Sequence, residues 1–172
     1  MATTSSGTAT VTLPTDEQIL IVRDFDAPRA LVWQAWTTPE LVARWWHAKR
    51  GEMTVAEIDL RVGGTWRYAM VTEDGFEVAF HGEYREIVPN ERLVNTEIYE
   101  VPPEQAEIAA GLPDTDPPLI TTTFQQVDGR TVVTLLTECH SRELRDVIIE
   151  SGMEEGLQEQ MDLLDELAVS LG

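Results

Sequence analysis

The stretch SRELRDVIIESGMEEGLQEQMDLLDELAVSL, residues 141–171, decides how the rest of the chain folds. From residue 153 onward its apolar residues recur every three or four positions, at Met153, Leu157, Met161, Leu164, Leu167 and Leu171. This spacing places them along one side of a helix of about five turns. Most other positions are acidic residues or glutamines, among them Glu154, Glu155, Gln158, Glu159, Asp162, Asp165 and Glu166. The pattern predicts a surface helix whose apolar side packs on a second layer of structure, with its polar side in solvent.

Two capping signals divide this stretch into a short helix followed by the long one. Ser141 stands before Leu144 and Ile148 and predicts the start of the short helix, because a serine hydroxyl accepts hydrogen bonds from the free N–H groups of a first turn. Ser151 and Glu154 have the spacing of a capping box, which predicts that the long helix starts there.

The residues before this helix predict an antiparallel sheet of about seven strands. The first strand is predicted over residues 19–25. In residues 65–70, large apolar side chains alternate with other residues, so Trp66, Tyr68 and Met70 share one face of a strand. Asp128-Gly129 is a strong hairpin signal between two further strands. Because tight turns join successive strands, the sheet is predicted to be a meander.

Two short helices are predicted between the first strand and the others. Pro28 and Pro39 mark their starts, because proline is tolerated in a first helical turn, where its missing N–H would be unpaired. A long helix covering one face of an antiparallel sheet makes a two-layer α+β domain.

Three segments are predicted to differ in organisation. Residues 1–18 are rich in Ser and Thr and are predicted to form a flexible N-terminal tail, and residues 19–172 form a single domain. Residues 100–118 interrupt the meander with a proline-rich insert. Such a long connection is either a binding lid or a solvated insertion, and the sequence leaves both interpretations open.

The charge of the chain argues against some classes of partner. Twelve basic and 31 acidic residues give a formal net charge of −19. This charge repels phosphate backbones and anionic lipid, so we expect neither nucleic-acid nor membrane-surface binding. Cys139 is the only cysteine, which rules out an intramolecular disulfide. Residues 1–18 lack the pattern of a secretion signal, and no stretch reaches the roughly 18–20 apolar residues of a membrane span. We expect a cytoplasmic protein, either a monomer or a homodimer.

A set of large apolar residues is predicted to line a pocket between the sheet and the long helix. Aromatic residues and methionines bring large apolar area, and methionine adapts to irregular ligands. Any one of these residues is better explained by a closed core, but an amphipathic helix over a curved sheet tends to leave a concave space. The set is Trp46, Trp66, Tyr68, Met70, Phe80, Tyr84, Phe124, Met153, Leu157 and Met161. Trp33, Trp36 and Trp45 are assigned instead to packing of the helices on the sheet.

Glu97 is the weak candidate for a catalytic residue. It lies in phase with Leu93, Asn95 and Tyr99, so its carboxylate enters the pocket if Leu93 points inward. A buried carboxylate needs a partner or has a raised pKa. Glu97 could therefore orient a polar group of a ligand or move a proton. A solvated position and a structural hydrogen bond are the alternatives.

The histidines and the cysteine do not form a recognised site. His81 is in phase with Glu83 on the predicted solvent face. His47 and His140 lack the spacing of metal ligands. Cys139 and His140 are adjacent and point to opposite faces of a strand, which argues against a nucleophile and base pair. We expect no metal and no cofactor.

Three stretches together resemble a known family. The first runs from FDAP at residues 25–28 through TPE at 38–40 to WW at 45–46; the second joins GGTWRY at 63–68 to GEYREIVP at 82–89 and ERLV at 91–94. The third is SRELRD at 141–146 with the Gly-Met pair at 152–153. The combination is similar to the SRPBCC or START-like superfamily, in particular its bacterial Aha-type branch, named for an activator of a heat-shock chaperone ATPase. The resemblance implies the helix-grip fold, a curved sheet wrapped around the C-terminal helix with a cavity between them. Some family members carry a tryptophan where this chain has Leu157.

Three functions are compatible with this sequence. The first is non-enzymatic binding of a small hydrophobic or aromatic molecule in the cavity. The second is an enzyme or self-resistance protein that acts on a polyketide-like or reactive natural product, because the resemblance includes cyclase- and dehydratase-like proteins. The third is a co-chaperone-like ATPase activator, on the family name alone. A shared fold does not choose among them.

Overall fold

Nine β-strands and five α-helices occupy the part of the chain that the computed structural model describes, residues 8–112 and 115–172. In chain order the elements are β1 (Thr10–Thr12), β2 (Gln18–Phe25), α1 (Arg29–Thr37), α2 (Pro39–Val42), β3 (Gly51–Ile58), β4 (Thr65–Thr72), β5 (Glu77–Val88), β6 (Arg92–Thr96), β7 (Ile98–Tyr99), a 3-10 turn (Pro103–Gln105), α3 (Ala106–Ala110), β8 (Leu119–Val127), β9 (Arg130–Glu138), α4 (Arg142–Glu150) and α5 (Met153–Ser170).

The strands form one antiparallel sheet in the order β1-β2-β9-β8-β6-β5-β4-β3, and the short β7 continues the line of β6 along β5. Asp128 and Gly129 turn the chain between β8 and β9 with φ angles of 52° and 79°. Positive φ angles at both turn residues match the twist of a two-residue hairpin. The predicted α+β architecture, with two short helices and a long C-terminal helix, is confirmed. The strand number is nine rather than seven because β1 is additional and the chain departs from the ladder at Glu97.

The apolar stripe of α5 packs inward as predicted. Its buried residues are Leu157, Met161, Leu164, Leu167 and Ala168. Helix α1 packs against α5 and buries Val32, Trp33 and Ala35. None of the helices in the described residues is long and apolar enough to span a membrane.

The polar side of α5 was expected to face solvent; the half-buried Gln158 and Asp165 correct that expectation, whereas the Asp162 side chain is 53% exposed. Asp162 and Asp165 pair with the buried guanidinium of Arg23 on β2, at nitrogen–oxygen distances of 2.8 and 3.7 Å. The Gln158 amide donates to the Ala9 carbonyl at 2.8 Å and accepts from the Ala9 N–H at 2.9 Å. This side of the helix is therefore partly an interface with the N-terminal strands.

Strand β1 corrects the predicted N-terminal boundary. The segment expected to be a flexible tail contains Thr10–Thr12, which pair with residues 20–22 of β2. Ala9 is buried and Val11 packs against the core. β-branched residues at positions 10–12 favour an extended conformation, and Gln158 supplies the partner for the preceding backbone. Residues 1–7 of the predicted tail lie outside the described residues.

The two predicted helix starts have different outcomes. The Ser141 hydroxyl accepts a hydrogen bond from the Leu144 N–H at 3.1 Å, which confirms that cap. The capping box at Ser151 is wrong: Ser151 ends α4, and α5 follows Gly152, whose φ angle is 81°, without a side-chain cap. Glycine adopts this backbone conformation at little steric cost, so the joint is a tight turn rather than a capped start.

The insert at 100–118 has structure of its own. It contains the 3-10 turn and α3, and the Tyr99 hydroxyl donates to Gln105 Oε1 at 3.3 Å. Residues 113 and 114 lie outside the described residues. A role for the insert as a lid stays a prediction.

Candidate functional site

Two rows of side chains cross the inner face of the sheet from β4 through β5 to the strand that follows. In the first row, Trp66 faces Gly82. Glu97 lies between Asn95 and Ile98, whose partners on β5 are Tyr84 and His81, so it is level with Gly82 although it makes no ladder pair itself. An aromatic ring and a carboxylate are thus brought to either side of a residue that has no side chain.

The second row lies one pleat further along the strands. Tyr68 faces Phe80, and Phe80 faces Tyr99. The rings are in contact within and between the rows, with centroid distances of 4.8 Å for Trp66–Tyr68 and 5.1 Å for Phe80–Tyr99. These distances are typical of favourable aromatic pairs. Tyr99 was not in the predicted set, although its phase with Glu97 placed it on this face.

Trp46 covers the second row from the side of the helices. Its ring lies 5.7 Å from Tyr68 and 5.8 Å from Phe80, measured between centroids. The Trp46 carbonyl accepts a hydrogen bond of 2.6 Å from Nε2 of Gln160 on α5. The long helix therefore holds in place the segment that carries this ring. We call Trp46, Trp66, Tyr68, Phe80 and Tyr99 the aromatic cluster.

Gly82 makes room for the indole of Trp66. A Cβ atom at residue 82 would lie 1.9 Å from the Thr96 carbonyl oxygen and 2.6 Å from Trp66 Nε1, distances that real Cβ atoms do not show. Trp66 Nε1 is buried and has no hydrogen-bond partner among the described residues. An unpaired buried donor is costly, so its presence here calls for a specific explanation.

Glu97 places an acidic group beside the aromatic cluster. Burial raises the pKa of Glu97 to about 7. The carboxylate has no ion pair or hydrogen bond with a side chain of the described residues, and the Glu97 N–H donates to the Pro118 carbonyl at 3.0 Å. The inward direction of this carboxylate stays a prediction, and its electrostatic interactions with Tyr68 and with the buried Cys139 are in line with it.

Two tyrosine hydroxyls lie in the same polar region. Burial, followed by the proximity of Tyr84 and Glu97, raises the pKa of Tyr68 well above its ordinary value. Burial raises the pKa of Tyr84 to about 12, against a smaller opposite effect of its hydrogen bond with Tyr68. Both phenols are therefore neutral at physiological pH, and they can donate or accept hydrogen bonds.

The predicted pocket residues do not all meet in one place. Trp46, Trp66, Met70, Tyr84, Leu157 and Met161 are buried, whereas Tyr68, Phe80 and Met153 are half-buried. Phe124 packs elsewhere: its ring lies 5.3 Å from Trp33 and 5.5 Å from Trp36. Phe124 therefore belongs to the packing of α1 on the sheet. The packing role predicted for Trp33 and Trp36 is confirmed by the same contacts.

The open cavity expected beside the aromatic cluster is not one of the two best-formed depressions of the described surface. The two best-formed depressions of the described surface lie away from it. One of about 350 Å³ is lined by Thr15, Asp16, Glu17, Gln18, Glu138 and His140. The other, of about 180 Å³, is lined by Gly51, Glu52, Val71, Thr72 and Glu73. Neither includes a residue of the predicted pocket set.

His81 lies on the outer face of the sheet, as predicted. Its Nδ1 is 3.0 Å from Oε2 of Glu100, and Arg67 holds the same carboxylate with two contacts of 2.8 and 2.9 Å. The hydrogen bond from Arg67 is the main reason that the pKa of Glu100 is lowered. This group anchors the start of the insert and does not contribute to the inner site.

Comparisons with known proteins agree with this geometry. Residues 26–168 match the family model described as "Activator of Hsp90 ATPase homolog 1-like protein". A protein of Rhodobacter sphaeroides has the same fold with a TM-score of 0.81 and 22% identity, over 95% of this chain and 99% of that chain. A protein of Mycobacterium smegmatis has a TM-score of 0.79 and 22% identity, over 95% of this chain and 99% of that chain. A protein of Arthrobacter aurescens has a TM-score of 0.78 and 24% identity, over 94% of this chain and 91% of that chain.

A search among curated proteins finds no match. The structural likenesses, at these identities, show the fold. The family model, which spans most of the sequence, shows more: the chain belongs to the activator of Hsp90 ATPase homolog 1-like family of the SRPBCC superfamily.

Proposed function

We propose that this protein binds a small hydrophobic or aromatic molecule between the inner face of its sheet and α5, without converting it. Members of the family typically bind hydrophobic ligands. The observation that carries the proposal is the aromatic cluster, a connected group of rings that ends at an inward carboxylate. Such a combination of apolar surface with few polar groups is typical of small-molecule sites.

Incomplete burial of part of this surface supports the proposal. Tyr68, Phe80 and Met153 face the interior but are only half-buried. A residue that served only as core would gain roughly 25 cal/mol for every further Å² of apolar area removed from water. A ligand that covered these side chains would supply that burial.

Binding requires the side chains that fill the space to move. Methionine has three flexible bonds and repacks at low cost, so Met153 and Met161 are suited to such adjustment. The contact of Trp46 with the cluster depends on the segment that Gln160 holds through one hydrogen bond. We therefore expect ligand binding to change the fluorescence of Trp46 and Trp66.

The test uses 4-phenylbutan-1-ol as a neutral aromatic probe with one polar end. We expect it to raise the melting temperature and to change tryptophan fluorescence in a saturable way. Phe80→Leu should weaken binding several-fold, because it removes a ring from the cluster. Phe76→Leu is the matched control, since Phe76 is 61% exposed at the turn before β5. No saturable binding of this probe or of a panel of neutral aromatic molecules would refute the proposal.

An enzyme that acts on a polyketide-like or reactive natural product is the second candidate. The inward position of Glu97 favours it, because a carboxyl group with a pKa near the working pH is suited to general acid–base catalysis. This candidate predicts conversion of a supplied polyketide-like substrate, seen by mass spectrometry, that is lost in Glu97→Gln. Equal conversion by that variant would exclude Glu97 as the catalytic group. Co-chaperone activity stays a prediction from the family name.

A further inference from the structure

We propose that the polar end of this site recognises a protonated amine carried by an apolar or aromatic body. The inference rests on the proposed function, because the amine enters the same space between the sheet and α5. It names the chemical class of the ligand, a hydrophobic amine, and it assigns the recognition of the ammonium group to Glu97.

The first argument is the unpaired charge. The described residues provide no cationic group and no side-chain hydrogen bond for the Glu97 carboxylate. Removing a carboxylate from water without a partner is costly, and an opposite charge nearby offsets this cost. Tyr68 and Tyr84 are neutral phenols and cannot supply that charge. An ammonium group on the ligand can supply the positive charge.

The second argument is the aromatic surroundings. Trp66 faces Gly82, the residue of β5 with which Glu97 is level, and Tyr68, which interacts electrostatically with Glu97, lies beside Trp66 with 4.8 Å between ring centroids. Aromatic faces attract cations, and they do so more strongly where water is excluded. A carboxylate beside tryptophan and tyrosine rings favours a cation with an apolar body over a neutral molecule of the same shape.

The third argument is the charge of the whole protein. With 31 acidic and 12 basic residues, the formal net charge of −19 attracts cations and repels anions at a distance. A ligand with a carboxylate, such as a fatty acid, would meet both this potential and the Glu97 carboxylate. The ligand class is therefore an amine rather than an organic acid.

Among the groups in this part of the protein, the Glu97 carboxyl group is the one whose charge changes near neutral pH. Tyr68 of β4 and Cys139, which follows β9, both interact electrostatically with Glu97, and burial is the main reason that the pKa of the thiol is raised to about 11. Arg145 of α4 also interacts electrostatically with Cys139 and lowers the pKa of the thiol, against the larger effect of burial. An alkylamine also stays protonated, since its pKa is about 10 like that of lysine. Amine binding should therefore strengthen between pH 6 and pH 8.

The test compares three probes of equal length by isothermal titration calorimetry: 4-phenylbutylamine, 4-phenylbutan-1-ol and 4-phenylbutanoate. At pH 8 we expect the wild-type protein to bind the amine at least tenfold more tightly than the alcohol, and the carboxylate most weakly. Glu97→Gln should remove the preference for the amine and its pH dependence. Glu83→Gln is the matched control, because Glu83 is the exposed neighbour of Gly82 on β5 and the preference should survive there.

The outcomes separate the two proposals. Equal binding of amine and alcohol by the wild-type protein, or an amine preference that survives in Glu97→Gln, overturns the inference and leaves hydrophobic binding intact. Failure of all three probes to bind overturns both. Circular dichroism establishes that Glu97→Gln is folded. If it is not, Glu97→Asp takes its place, and the amine preference must persist there for the inference to stand.

Discussion

The Arg23 guanidinium lies 2.8 Å from the Asp162 carboxylate, although Arg23 points from a strand into the core and only 2% of the residue is exposed. The same guanidinium lies over the Phe25 ring at 4.7 Å and approaches Asp165 at 3.7 Å. The positive charge of Arg23 on β2 is thus neutralised by two carboxylates of α5, so the packing of the helix and that of the N-terminal strand are coupled.

Removal of both carboxylates should destabilise the protein more than removal of the arginine. In the Asp162→Asn/Asp165→Asn double variant the guanidinium is buried without an opposite charge, and we expect a loss of roughly 3 kcal/mol in unfolding free energy. In Arg23→Met the acidic groups can turn to solvent, and we expect a loss of about 1 kcal/mol or less. Urea denaturation of the variants, with Glu166→Gln as an exposed control on α5, measures both. A larger loss in Arg23→Met would contradict this account.

The Gln158 side chain should stabilise the pairing of β1 with the sheet. Its amide makes two hydrogen bonds with the Ala9 backbone, so Gln158→Ala should cost about 1–2 kcal/mol at a typical net value for each bond. We expect faster hydrogen exchange in residues 10–12, with β8 and β9 unchanged. Glu154→Ala, on the exposed part of the same helix, should leave the exchange of β1 unaltered. If the two variants gave equal protection of β1, the amide would have no role in holding it.

The same substitution at two glycines should have opposite effects. Gly82→Ala places a Cβ against the Thr96 carbonyl and the Trp66 indole, and overpacking of this kind costs about 1–3 kcal/mol. In Gly156→Ala the new Cβ lies within α5 and meets only Arg50 Cζ, at 4.0 Å. There the higher helix propensity of alanine should stabilise by up to about 1 kcal/mol. Thermal unfolding of the pair checks the signs, and stabilisation by Gly82→Ala would show that the row is loosely packed.

The pH dependence of the free energy of unfolding should reflect the titration of Glu97. Its pKa is raised by burial from an ordinary value of 4.5 to about 7 in the folded state. The folded state therefore binds the proton more tightly than the unfolded chain. The Glu97 contribution to stability is greatest below about pH 4.5, falls as the pH rises towards 7, and is constant above that.

Glu97→Gln removes this titration, so its stability relative to the wild-type protein should increase from pH 4.5 to pH 7. The total increase should be at most about 3.5 kcal/mol, because one pKa unit corresponds to about 1.4 kcal/mol. Comparison of the two proteins by urea denaturation at each pH cancels the effect of the other carboxylates. A flat difference for Glu97→Gln would show that this carboxyl group is not desolvated.

The sequence predicted the features that a local period determines. The stripe of α5 and the shared face of Trp66 and Tyr68 follow from spacings of 3.6 and 2 residues. These relations need no knowledge of which strands are neighbours.

The features that were missed depend on contacts between distant parts of the chain. Asp162 looks like an ordinary solvated residue until Arg23 is placed beside it. Phe124 has the correct phase for the pocket, but its strand lies under α1, so its ring meets Trp33 and Trp36. The amount of open space depends on how the rings of the aromatic cluster turn, and no sequence period fixes that.

The pairing of β2 with β9, from Gln18 opposite Glu138 to Phe25 opposite Thr131, also has a consequence for biosynthesis. At about 5–20 residues per second, the N-terminal strand leaves the ribosome several seconds before its partner is made. Formation of this part of the sheet in the nascent chain is therefore delayed until β9 has been synthesised. A product released early, before β9 has been synthesised, would present an unprotected strand edge and would be prone to aggregate.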